Sequence, residues 1–171
     1  RAIGSGTILA AEMRGLAPGR AVAALWPALL HSQAGASRLL APLAHAMTDV
    51  TGFGLAGHLD EILRASGMGA ELDLAAIPLL DGAEALAAAG IASTIAPANR
   101  AALLGRIAAP KGPRSDLLFD PQTAGGLLAA VPAEAAPALL DALRDQGYPS
   151  ARIGTVTGLT AGPALRCTGA P

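Results

Sequence analysis

The stretch from residue 45 to residue 58, HAMTDVTGFGLAGH, constrains the fold most, because a short strand leads through a glycine-containing turn into a helix. The helix is predicted to begin at about Gly54, since the apolar residues that follow repeat with the spacing of one helical face. Those residues are Leu55, Leu59, Ile62 and Leu63. The glycines permit a sharp turn and let another molecule approach the backbone closely. The pattern is typical of an α/β connection.

Asp49 lies at the end of the predicted strand, directly before the turn. The free N–H groups of the first helical turn, together with the positive end of the helix dipole, favour an anion in front of the helix. A carboxylate beside that position suits Mg²⁺, which itself prefers phosphate oxygens. The pattern therefore indicates metal–phosphate chemistry, with Asp49 as metal ligand and Thr51, Gly52 and Gly54 shaping a phosphate-binding turn. Two alternatives stay open: Asp49 caps the turn only, or Thr51 caps the helix only.

A second glycine motif, DPQTAGG, occupies residues 120–126. Its glycines, Gly125 and Gly126, are candidates for contact with phosphate or with a domain interface. Asp120 precedes a proline and is interpreted as a turn former, not as a ligand. His58 lies one turn into the predicted helix and has two interpretations, a proton- or phosphate-handling group or a packed histidine.

The composition bounds the class of protein. Hydrophobic residues make up 52% of the 171 positions and charged residues 15%, which favours a folded globular protein with one core. The net charge of −1 and the scattered arginines give no electrostatic case for nucleic acid or for a membrane surface. No apolar run approaches the roughly 18 residues of a membrane helix. The single cysteine, Cys167, offers neither a disulfide nor a metal set, which fits a reducing cytoplasm.

The N-terminal part is predicted to contain one extended segment and one long helical region. Residues 3–13 are interpreted as extended because they are glycine-rich and then apolar. Residues 21–43 are predicted to be helical with a break near Pro27. Trp26 and the Leu29–Leu30 pair are expected to face the core.

Helices and strands interleave over the rest of the chain, so the fold class is α/β or α+β, in a single domain over residues 1–171. The predicted elements are a strand at 70–74, a helix at 81–89 capped by Asp81, a helix at 97–107, a strand at 117–119, and strands at 127–131 and 151–157. The last two strands flank a helix and are predicted to form a βαβ or split βαβ unit.

Residues 48–58, TDVTGFGLAGH, resemble the signature of the selenophosphate synthetase (selenide, water dikinase) family. That family belongs to the superfamily of aminoimidazole ribonucleotide synthetase and thiamine-phosphate kinase. Further matching motifs follow in the family's order: GSGT at 4–7, APANR at 96–100, FDPQTAGGLL at 119–128 and IGTV at 153–156. They cover nearly the whole chain and resemble the family's C-terminal domain. The chain departs from the family pattern at Ala124, where serine is usual.

The resemblance implies a mixed β-sheet with helices packed mainly on one face. It implies that Asp49 is the one aspartate that this domain contributes to a magnesium cluster bridging the phosphates of ATP. The N-terminal ATP-binding domain, with its reactive Cys or selenocysteine, a lysine and most metal-binding aspartates, is then absent from this chain. No catalytic residue is therefore assigned here, and the magnesium and ATP sites are expected to be empty in this fragment.

The implied reaction converts ATP, selenide and water into selenophosphate, AMP and phosphate, in a bacterial, cytoplasmic enzyme that is a homodimer at full length. The fragment alone is expected to be inactive. Two alternatives remain: the corresponding domain of thiamine-phosphate kinase or of aminoimidazole ribonucleotide synthetase, and a non-catalytic assembly domain.

Overall fold

The computed structural model describes residues 1–169, in which helices and strands interleave. The α-helices are α1 Ser5–Glu12, α2 Gly19–Leu30, α3 Ala34–Leu40, α4 Gly54–Ser66, α5 Ala83–Ala88, α6 Ala96–Ala102, α7 Pro113–Leu117 and α8 Ala136–Asp145. The strands are β1 Ala46–Asp49, β2 Met68–Asp73, β3 Ile107–Ala108, β4 Leu127–Ala130, β5 Gly154–Gly158 and β6 Leu165–Thr168. A short 3₁₀ turn covers Leu74–Ala76. Within the described residues, no helix is long and apolar enough to cross a membrane.

The strands form two sheets. The larger sheet is mixed and has the order β3-β6-β2-β5, in which β2 pairs antiparallel with β5 and parallel with β6. The smaller sheet pairs β1 with β4 antiparallel, so that Asp49 faces Leu127 across the ladder. The predicted class, an α/β (α+β) domain with a mixed sheet, is confirmed.

Helix α4 links the two sheets and carries the stripe that the sequence predicts. Leu55, Leu59 and Leu63 are buried in the main core, which also takes Leu72 from β2. Gly67 ends the helix in the left-handed conformation with φ of 64°, as its position after the last turn indicates. A second apolar cluster forms where α8 packs against α3 near the smaller sheet.

The interpretation of residues 3–13 as extended is wrong, because Ser5–Glu12 is helix α1. Its first N–H groups are satisfied by side chains from more than 110 residues further along. Gln122 accepts hydrogen bonds from the N–H groups of Gly4 and Ser5, and Asp120 accepts one from Gly6. A cap of this kind leaves no local sequence signal.

The predicted break near Pro27 is also wrong, since α2 continues through this proline to Leu30. Proline removes one hydrogen bond but its φ is compatible with a helix, and the buried side chains of Ala21 and Leu25 hold the helix against the core. Leu29 packs against the core as predicted, whereas Trp26 and Leu30 do not, because they are 53% and 82% exposed.

The predicted βαβ unit does not form, since β4 and β5 belong to different sheets. The strand predicted at 117–119 is instead the end of α7 and the turn that follows it. Helix α6 ends at Ala102, short of the predicted residue 107, and a turn with Gly105 at φ of 77° leads into β3. Helix α5 is preceded by Gly82 with no side-chain cap, so Asp81 does not cap it. The sequence patterns did not predict β3 or β6.

Candidate functional site

Asp49 lies at the last position of β1 and is exposed. Within residues 1–169, its carboxylate takes part in no hydrogen bond and no ion pair. The next residue, Val50, is buried and donates its N–H to the carbonyl of Gly126 at 2.9 Å. The backbone at the strand end is thus fixed, while the carboxylate remains available to a ligand.

The turn after Asp49 is held from three directions. The N–H groups of Gly54 and Gln122 both donate to the carbonyl of Thr51, at 3.1 and 2.9 Å. The side-chain amide of Asn99, on α6, donates to the carbonyls of Gly52 and Phe119, at 2.8 and 3.0 Å. Asn99 therefore ties the turn to the 119–122 segment. Sequence reasoning noticed its APANR motif but assigned Asn99 no role.

Gly54 is required by the packing at the start of α4. It has φ of 72°, and a Cβ there would lie 2.6 Å from the carbonyl oxygen of Leu118. The same oxygen accepts the N–H of Ala56 at 3.0 Å. The N–H groups of the first helical turn were predicted to be free for an anion. Two of them, those of Gly54 and Ala56, instead donate to carbonyl oxygens of the protein itself. Phosphate binding by Gly54 stays a prediction.

The other three predicted glycines occupy two kinds of environment. A Cβ on Gly125 would lie 1.8 Å from the carbonyl oxygen of Val50, and one on Gly126 would lie 2.6 Å from the backbone nitrogen of Arg1. These two positions need glycine because backbone segments cross there. Gly52 is exposed, with no atom within 4 Å of such a Cβ, so its backbone is open to a ligand.

Asp120, which the sequence suggested as a turn former, is buried and only 1% exposed. Its carboxylate accepts hydrogen bonds from Gly6 N–H at 3.0 Å, from the Thr7 hydroxyl at 2.8 Å and from the Gln122 amide at 3.0 Å. Burial raises the pKa of Asp120 above its ordinary value, although these hydrogen bonds act in the opposite direction. Asp120 caps α1 and connects it to the 119–122 segment, which binds the turn after Asp49.

Gln122 completes this buried network. Its amide oxygen accepts from the N–H and the hydroxyl of Ser5, and its amide nitrogen donates to the carbonyl of Asp120 at 2.7 Å. Because its own N–H also binds Thr51, Gln122 joins the start of α1 to the turn beside Asp49. The GSGT and DPQT motifs, which lie far apart in the chain, thus form one structural unit.

His58 is packed, as one of its two interpretations predicts, but both ring nitrogens have polar neighbours. It is 7% exposed, its Nε2 lies 3.1 Å from the Thr51 hydroxyl, and its Nδ1 lies 3.3 Å from the Glu61 carboxylate. The ring of Phe53 lies against it, with a centroid distance of 5.6 Å. Since the Thr51 hydroxyl contacts His58 and α4 begins without a side-chain cap, Thr51 is not the helix cap.

A cavity of about 620 Å³ separates the smaller sheet and α8 from α4 and β2. Its walls are mainly leucine, isoleucine, valine and alanine side chains, and Asp49 is not among the lining residues. The cavity reaches Val50 and Leu55, on either side of the turn, but not the carboxylate of Asp49.

Asp49 is the residue of the site that is suited to bind a hard cation such as Mg²⁺. Among residues 1–169, no three His, Cys, Asp or Glu side chains lie close enough together to hold a metal ion. Burial raises the pKa of Cys167 to about 11, so its thiol is protonated at neutral pH and is a poor metal ligand. The Asp49 carboxylate fits Mg²⁺ as one oxygen ligand of several.

Residues 1–162 match the family model described as AIR synthase related protein, C-terminal domain. The chain is 40% identical over 153 residues to the selenide, water dikinase of Geobacter metallireducens, which covers 88% of this chain and 44% of that protein. It is 39% identical over 157 residues to the enzyme of the same name from Rhizobium meliloti, covering 90% of this chain and 45% of that protein. The chain thus spans less than half of the length of these two relatives.

Solved structures share the fold at lower identity. The hydrogenase maturation protein HypE superposes with a TM-score of 0.62 and 21% identity, over 99% of this chain and 47% of that one. Thiamine-monophosphate kinase from Stenotrophomonas maltophilia K279a gives a TM-score of 0.58 and 17% identity, over 97% of this chain and 47% of that one. The match over residues 1–162 shows that the chain belongs to the family of AIR synthase related proteins and corresponds to their C-terminal domain.

Proposed function

We propose that this chain is the C-terminal half of a selenide, water dikinase, which forms selenophosphate, AMP and phosphate from selenide, ATP and water. The curated relatives with this name, at 38–43% identity, support the proposal. HypE, a structural neighbour, has been solved in complex with ATP, which supports nucleotide binding by this fold. In this proposal residues 1–171 form one domain, and the ATP-binding half lies upstream in a longer polypeptide.

The observation that carries the proposal is the exposed, unpaired carboxylate of Asp49 at the end of a strand whose backbone pairs with β4. A lone carboxylate binds Mg²⁺ weakly, because this ion loses its water reluctantly and prefers several anionic oxygens. Asp49 would therefore act together with carboxylates of the upstream half and with phosphate oxygens of ATP. Bound Mg²⁺ neutralises the charge that develops on the transferring phosphoryl group.

The remaining residues of the site position Asp49 and the turn. Asn99 and Gln122 hold the carbonyls of Gly52 and Thr51, so these two carbonyls are already hydrogen-bonded within the protein and the exposed Gly52 is left to the ligand. Gly52 lets a phosphate approach the backbone of the turn, because no neighbouring atom occupies the space beside its Cα. Gly125 and Gly126 act on the site indirectly, by bringing β4 against the end of β1.

This assignment has consequences for the isolated chain and for the cell. The chain alone is inactive and binds Mg²⁺ and ATP weakly, since most ligands lie in the upstream half. The full-length protein is a cytoplasmic bacterial homodimer whose small-molecule partners are ATP and selenide.

The test is a substrate comparison with the longer polypeptide that contains this chain. We expect ³¹P NMR to show AMP and selenophosphate when ATP, Mg²⁺ and selenide are supplied, and no products from residues 1–171 alone. ATP consumption that depends on thiamine monophosphate instead of selenide would transfer the assignment to the kinase that the structural neighbour represents. Selenide-dependent turnover by residues 1–171 alone would contradict the proposal that the active site is formed by both halves of the longer polypeptide.

A further inference from the structure

Three side chains form a chain of polar contacts in the turn and helix that follow Asp49 in the chain. The hydroxyl of Thr51 lies 3.1 Å from His58 Nε2, and a carboxylate oxygen of Glu61 lies 3.3 Å from His58 Nδ1. Thr51 is in the turn, while His58 and Glu61 lie one turn apart on α4. None of these contacts is needed to end or begin the helix, so the arrangement calls for a different explanation.

The chemistry of Glu61 determines where the proton of neutral His58 lies. An ionised carboxylate only accepts hydrogen bonds, so the nearby Nδ1 carries the proton and the tautomer follows from its partner. The opposite nitrogen, Nε2, then has a free lone pair. Two acceptors at 3.1 Å would repel each other, and this contact is therefore a hydrogen bond donated by the Thr51 hydroxyl.

The orientation of Thr51 follows directly. Its single hydroxyl proton is committed to His58, so the oxygen offers only lone pairs to anything that enters beside Asp49. It cannot donate a hydrogen bond to a phosphate while this contact lasts. It can accept one from a water molecule of a hydrated cation, or it can coordinate the cation itself.

We propose that Glu61 and His58 are positioning residues that hold the Thr51 hydroxyl as an acceptor for a hydrated divalent cation bound at Asp49. The cation is that of the proposed function, and on this point the inference rests on it. The orientation of the hydroxyl rests on the contacts alone. In this inference Thr51 contacts the cation and does not donate a hydrogen bond to the phosphate at the turn.

Burial of His58 holds its contacts with Thr51 and Glu61 in one geometry. His58 is enclosed by the core and by the ring of Phe53, so the imidazole keeps one orientation. Glu61 is 54% exposed in its side chain, so it can be replaced without damage to the core.

The first test reads the tautomer by long-range ¹H–¹⁵N correlation NMR on the ¹⁵N-labelled chain. We expect His58 to carry its proton on Nδ1, with Nε2 unprotonated and shifted by the Thr51 hydrogen bond. Thr51→Val removes the donor and should shift the Nε2 signal, whereas Thr51→Ser should keep it near the wild-type position. Glu61→Gln should raise the population of the Nε2–H tautomer. The matched control is Glu134→Gln, an exposed glutamate without an ion pair in residues 1–169.

A proton on Nε2 in the wild-type chain, or an Nε2 signal unaffected by Thr51→Val, would overturn the orientation. The second test uses the longer polypeptide and separates cation from nucleotide. Glu61→Gln and Thr51→Val should raise the Mg²⁺ concentration for half-maximal activity about tenfold, the typical size for outer-shell metal partners, with the KM for ATP unchanged. A change in the KM for ATP alone would place Thr51 on the phosphate and refute the inference. Absence of activity in the wild type would contradict the proposed function. The tautomer measurement would still test the orientation of the Thr51 hydroxyl.

Discussion

Gly125→Ala is the substitution that most sharply tests the packing beneath the site. The added Cβ would lie 1.8 Å from the carbonyl oxygen of Val50 and 2.9 Å from its carbonyl carbon, where real Cβ atoms essentially never come closer than 3.0 Å. The obstructing atoms are backbone, so rotating a side chain cannot relieve the clash. Either β4 or the end of β1 must move.

The expected cost has two parts. Overpacking in a well-packed region costs about 1–3 kcal/mol. The movement also weakens the 2.9 Å hydrogen bond from Val50 N–H to the carbonyl of Gly126, a contribution of about 1 kcal/mol. The free energy of unfolding should therefore fall by about 2–4 kcal/mol. For a chain of this length that corresponds to a decrease in Tm of about 5–15 °C.

The assay is urea and thermal unfolding followed by circular dichroism on the chain, with Gly52→Ala as the matched control. No atom lies within 4 Å of the position of a Cβ on Gly52, and its φ is not positive, so this variant should unfold within about 0.5 kcal/mol of wild type. If Gly125→Ala were as stable as Gly52→Ala, the close backbone contact and the packing argument built on it would be wrong.

Three further predictions concern stability. Ala124 has φ of 43°, in the left-handed region, so Ala124→Gly should stabilise the chain by up to about 1 kcal/mol in urea unfolding. Asp60 is buried and lies 2.7 Å from the partly exposed Arg106, so Asp60→Ala should cost about 1–3 kcal/mol in the same assay. Because burial raises the pKa of Asp120, the stabilisation from its neutral form is present below about pH 4 and is lost as pH rises through the raised value. Asp120→Asn should therefore gain stability relative to wild type as pH increases, as measured by urea midpoints at several pH values.

Each of these predictions has a control and a contrary outcome. Ala129→Gly, in β4, should destabilise, and stabilisation by glycine at both sites would show that φ is not the cause. Asp141, whose side chain is 75% exposed, is the control position for Asp60→Ala and Asp120→Asn. A loss on Asp141→Ala equal to that of Asp60→Ala would exclude the buried pair as the reason. Relative stability of Asp120→Asn that falls with rising pH would mean that the carboxylate form is favoured.

The sequence predicted what depends on near neighbours. The strand ending at Asp49 and the helix beginning at Gly54 are confirmed, because periodicity and glycine position act within a few residues. The contact of Thr51 with His58 was also within reach, since the two residues are seven positions apart. The direction of this hydrogen bond follows only from the position of Glu61, which lies beside the other nitrogen of the same ring.

The sequence failed where a distant segment decides the outcome. Helix α1 forms because Asp120 and Gln122 cap it, and neither is near it in the chain. The same distance hid the burial of Asp120, which in isolation resembles an ordinary turn former. Strand β6 pairs with β2 across almost a hundred residues, so local pattern does not reveal it.

The most direct test of the central claim, that Asp49 presents a cation to ATP, is AMP formation by the longer polypeptide with Asp49→Asn. The substitution keeps the size of the side chain but removes the charge, and losing one anionic ligand should cost about 100-fold or more in selenide-dependent rate at limiting Mg²⁺. Raising Mg²⁺ should restore part of that rate, and Asp81→Asn, a surface substitution elsewhere, should leave it unchanged. A rate and a Mg²⁺ dependence equal to wild type in the Asp49→Asn protein would contradict the account.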